Sequence, residues 1–215
     1  MKSETTDQQN LKNIINKFAL MKADVLMSMF GRKNHESKDV KIVPGMRLIA
    51  MITMSIFDGA INQLVEISVN AITGAVFSIF NRDIPNKNSK TALEVISKVP
   101  GGLAKSVTAS FNYVTTSTAF EAVGLHKMLL YALYNLVSVL ITLFGVGGNL
   151  LTSTAGVLSG SDALKLSAVL GLAMTTMRIM TKKLIQEGKL QEAFMIDTFG
   201  MAFVVLLINL NKKTK

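Results

Sequence analysis

The sequence predicts an all-α, multi-span helical membrane protein built from helical hairpins, with an N-terminal amphipathic helix. Three observations predict it. Only 17% of the 215 residues are charged, where about 25% is usual, and the mean hydropathy is +0.40. The 34 residues from Met128 to Ser161 contain no Asp, Glu, Lys or Arg. The Lys and Arg residues behind the net charge of +9 gather in segments that flank apolar stretches. This balance excludes a disordered chain, which needs high charge and low hydrophobicity. The absence of cysteine excludes a disulfide scaffold, a thiolate zinc site and a cysteine nucleophile.

Residues 1–41 read as a basic amphipathic helix followed by a charged linker. Leu11, Ile14, Ile15, Phe18, Met21, Val25 and Met29 follow helical spacing, with Lys12, Lys17, Lys22 and Asp24 off that face. Such a face suits either an interfacial position on anionic lipid or packing on the chain's own helices. Gly31–Lys41 is the linker. Glu4 and Asp7, with no compact apolar run after them, do not fit a secretory signal.

Residues 42–80 form the first expected membrane hairpin, turning at the Asp58-Gly59 pair. Residues 81–127 form a polar helical connection. Thr91 and Glu94 have capping-box spacing for a short helix ending before Pro100-Gly101-Gly102, and 103–125 continue as a second helical stretch. Residues 128–180 form the second hairpin. Its first limb, Met128–Val146, is long enough at 1.5 Å per residue to cross a hydrocarbon core of about 30 Å. Gly147, Gly148 and Asn149 break it, and 163–180 return. Residues 181–215 are an amphipathic linker and a C-terminal apolar helix with a basic tail.

Nine Lys and Arg residues fall in 1–47 and six in 81–127, but none in 148–162. The positive-inside rule therefore places the N-terminus on the cytoplasmic side and the 148–162 loop across the membrane.

Two stripes mark helix contacts. Asn62, Glu66, Asn70, Gly74 and Ser78 recur every fourth residue and form a polar-to-small stripe that cannot face lipid. Within it Asn62, Glu66 and Asn70 are an intramembrane polar line, with Lys165 a possible charge partner for Glu66. Gly156, Gly160, Ala163, Ser167, Gly171 and Thr175 form a small-residue face of the kind that lets helix backbones approach in a bilayer. Asp58 and Asp197 are expected at turns or interfaces.

The chain offers no catalytic or metal signature. His35 and His126 stand in no metal-ligand spacing, and there is no nucleophile elbow, phosphate-binding loop or dinucleotide fingerprint. The expectation is a non-enzymatic integral membrane protein without catalytic residues, metal or cofactor. It is structural or pore-forming and self-associates through small-residue helix faces. Its partners are a bilayer with anionic head groups and further copies or other membrane subunits, not nucleic acid. One alternative is a small channel or transporter using Glu66 within the membrane. Another is an amphitropic protein that folds in water and inserts later.

Overall fold

The computed structural model describes residues 2–32, 43–80, 87–125, 131–138, 160–189, 191–193 and 195–200. All regular structure among them is helical. Helix α1 spans Lys2–Met29, α2 Pro44–Phe80 and α3 Lys87–Ala122. A short α4 covers residues 131–138 and α5 spans Gly160–Gln186.

The hairpin expected over 42–80 is not formed by its described residues, 43–80. The helix runs unbroken for 37 residues through Asp58 and Gly59, a length of about 55 Å. A D-G pair turns a chain only when its neighbours favour the turn. Here Met54, Asp58 and Asn62 must share one face to meet the rest of the molecule, and continuous helix supplies that register.

The hairpin is instead α2 with α3. Asn112 bonds Asn62, Thr116 bonds Asp58, and Thr73 bonds the Ser97 carbonyl. These pairings move in opposite directions along the two helices, so the helices are antiparallel neighbours. Over its described residues, 87–125, the stretch read as a polar helical connection is packed against α2. Ser106, Ser110, Asn112, Tyr113 and Thr115–Ser117 are all buried, and α3 is the central helix.

Pro100 also departs from expectation, for α3 continues through it. Proline removes one main-chain donor and frees the carbonyl four residues earlier. Close to that gap, although not at the freed Ile96 carbonyl itself, the Thr73 hydroxyl of α2 meets the Ser97 carbonyl at 2.7 Å and holds α3 to α2 there. Gly101 follows, and a Cβ there would meet the Asn70 side chain of α2.

Helix α1 carries two apolar stripes rather than one. Ile15, Ala19, Ala23 and Leu26 are buried against the bundle, while Ile14, Phe18, Met21 and Val25 are about half exposed. Gly31 caps its end with φ +72°, a left-handed conformation that favours glycine. The core gathers Leu26, Met51, Met54, Tyr113, Phe120, Leu125 and Tyr134.

Helices α4 and α5 lie side by side. Asn135 donates to the Thr175 hydroxyl at 2.9 Å, and Gly171 lies against the Leu136 main chain. Residues 139–159 between them, much of the uncharged tract included, lie outside the described residues. So do 201–215, with most of the C-terminal apolar stretch. Among the described residues one helix, α2 from Pro44 to Ile79, is long and apolar enough to cross a membrane.

Candidate functional site

The inward face of α2 begins apolar with Ala50, Met51 and Met54, then becomes polar at Ser55, Asp58, Asn62, Gln63 and Glu66. Every one of these is buried. Of the expected stripe, Asn62 and Glu66 are buried, as is Asp58 one turn earlier. Its other end differs: Asn70 is half-buried, Gly74 meets nothing within 4 Å among the described residues, and Ser78 is exposed.

Asp58 is the centre of the site. It is only 1% exposed, in the interior and not at a turn. Lys22 from α1 meets its Oδ1 at 2.7 Å. On its other oxygen, Thr116 from α3 donates at 2.5 Å and the Tyr134 hydroxyl from α4 at 2.6 Å. One carboxylate thereby ties α2 to three other helices. Removing such an ion from water costs several kcal/mol, and this dense donor set offsets that cost.

Two turns along α2, Glu66 pairs with Lys105 of α3 at 2.7 Å, both almost fully buried. Lys165, proposed from its isolation, is exposed and is not the partner. Lys105 is carried on α3, directly across the seam, whereas Lys165 lies on α5.

A third polar knot joins α3, α4 and α5. Arg178, 2% exposed, donates from Nη1 to Asn135 Oδ1 at 2.7 Å. Its guanidinium lies 5.3 Å from the Tyr113 ring centroid, within cation–π range. Asp197, expected at a turn or interface, is buried with its Oδ1 3.9 Å from Arg178 Nε. At the rim, Lys182 of α5 pairs with Glu121 of α3.

The small-residue face is used within the chain at its described end. Gly171 and Thr175 pack on α4. Gly160, Ala163 and Ser167 lie on α5, and Gly156 lies outside the described residues.

A surface cleft of about 480 Å³ stands apart from this interior. Leu11, Ile15, Val114 and Ile185 form its apolar walls, and Lys12 and the Glu121–Lys182 pair its charged rim. Among the described residues no group of three His, Asp or Glu side chains is placed to hold a metal.

Sequence reasoning missed Lys22, Lys105, Asn112, Thr115, Thr116 and Tyr134. A signal existed for two of them. Lys105 and Asn112 are seven apart and share one helix face, the counterpart of the stripe on α2. No family model matches the chain, and no curated protein or solved structure resembles it significantly.

Proposed function

We propose that this chain is a non-enzymatic integral membrane protein, a structural or pore-forming component that associates with copies of itself or with other membrane subunits. What supports the membrane assignment is the inverted polarity of α2. Ile49, Ile56, Phe57, Leu64, Ile72 and Ile79 point outward, each more than half exposed, while Asp58, Asn62 and Glu66 point inward. In water this arrangement is unfavourable twice over. Apolar area stays wet at roughly 25 cal/mol per Å², and ions lose their hydration. Among acyl chains both choices become favourable, since charges there face the protein and pair.

The same outward apolar character recurs on α3 at Val99, Leu103 and Val107, and on α5 at Val169, Leu172, Ile179 and Met180. In this topology α2 leads away from the basic N-terminal side and α3 returns to it. Ala71, Gly74, Ala75 and Ser78 leave a small-residue surface on α2 for contact with a second helix.

Leu64→Lys tests the assignment, because residue 64 is near the middle of α2 and 63% exposed. Facing lipid, the lysine costs about 2.5–3.5 kcal/mol and lowers the fraction retained in membranes after alkaline carbonate extraction. Facing water, it changes stability by no more than about 0.5 kcal/mol, and that result rejects the assignment. Release of the wild-type chain into the aqueous fraction favours an amphitropic protein instead.

A second reading, a small channel or transporter, is favoured by the length of the polar seam. Asp58 to Asn70 covers about 18 Å of helix, more than half of a hydrocarbon core of about 30 Å. If Glu66 works in a path, Glu66→Gln reduces ion flux per inserted protein in proteoliposomes. Equal flux in variant and wild type removes the path.

A further inference from the structure

Five oxygens surround Lys22 Nζ. They are Asp58 Oδ1 at 2.7 Å, Thr116 Oγ1 at 2.9 Å, Thr115 Oγ1 at 3.0 Å, Asn112 Oδ1 at 3.2 Å and the Asn112 carbonyl at 3.3 Å. An ammonium carries three hydrogens. At least two of the five oxygens therefore face the charge with no hydrogen to receive, as oxygens face a spherical ion.

The four side-chain oxygens are also held from behind. Thr116 gives its own hydrogen to Asp58 Oδ2, and the single Thr115 hydrogen lies between the Phe111 and Asn112 carbonyls, both at 3.0 Å. The Asn112 amide nitrogen donates to Asn62 Oδ1 at 2.9 Å, which fixes Asn112 Oδ1 toward the centre. Tyr134 holds the second oxygen of Asp58. The lone pairs that remain converge on one point, and partners on α2, α3 and α4 hold them there whatever sits at that point.

Carboxylate, hydroxyl, amide and main-chain oxygens are the donor set of hard cations, not of transition metals. One carboxylate among five donors balances a single positive charge. We propose that this cage is a monovalent-cation site whose occupant here is the chain's own ammonium, delivered by α1. A free alkali cation, Na⁺ or K⁺, takes the same position when the Lys22 side chain is withdrawn. Helix α1 is then the plug of the site, seated through Ala19, Ala23 and Leu26.

The test uses the full chain in detergent, with Lys22→Ala as the emptied site. Thermal unfolding is compared in KCl, NaCl and choline chloride at equal ionic strength. The variant is expected to gain several degrees, saturably, in potassium or sodium over choline. The wild type and Lys22→Ala/Asp58→Asn are expected to gain nothing. Identical midpoints for Lys22→Ala in all three salts overturn the proposal, as does an equal response in the wild type or the double variant. Should Lys22→Ala fail to fold in choline, purification in potassium or sodium throughout must recover a monodisperse protein. Failure in all three salts overturns the proposal as well.

Discussion

Asp58→Ala lowers the stability of the fold by about 3–5 kcal/mol, the range for removing one partner of a buried ion pair. The loss comes from what stays behind. Lys22 is left in the interior without its carboxylate, and Thr116 and the Tyr134 hydroxyl lose the acceptor they share. Reversible denaturant unfolding in detergent measures it. The paired replacement Lys22→Met/Asp58→Leu is less damaging than either single change, since no uncompensated ion remains. An Asp58→Ala cost under about 1 kcal/mol, typical of exposed pairs, contradicts the buried geometry.

Gly171→Val lowers stability by about 1–3 kcal/mol through overpacking. A Cβ at residue 171 would lie 2.9 Å from Leu136 Cα and 3.0 Å from Leu136 N. These are main-chain atoms, so a rotamer change cannot relieve the contact and α4 must move off α5. The displacement also breaks the Asn135–Thr175 bond one turn away, and with it the hold of Asn135 on Arg178. Gly74→Ala is the internal comparison. Nothing lies within 4 Å of that Cβ, so helix propensity alone acts and the variant is stabilised by up to about 1 kcal/mol. Equal effects at both glycines contradict the described contact.

Helical class was legible because the apolar residues of 8–30 and the stripe at 62–78 both keep a helical period. Contacts were harder. Asp58-Gly59 carries a turn signal that holds over four residues, whereas the demand that Met54, Asp58 and Asn62 share a face acts over the whole helix and wins. Pro100-Gly101-Gly102 reads as a stop for the same local reason, yet α2 supplies the Thr73 hydroxyl and needs the space at Gly101. Glu66 was found because an isolated acid in an apolar stretch is conspicuous. Its partner Lys105 was not, because the Ser- and Thr-rich 103–125 segment reads as part of a polar helical connection when its burial is unknown. Lys22 was assigned to the polar side of α1, since a lysine one step from Met21 on a mixed surface gives no sign of pointing inward.

The order of these partners along the chain sets the order in which the protein can be made. Lys22 leaves the ribosome before Asp58, but Lys105 emerges well after Glu66. A nascent chain that ends with α2 has one acid neutralised and the other still waiting. The ion pair at Glu66 therefore closes only once α3 has been synthesised, and α2 reaches its full set of partners together with α3.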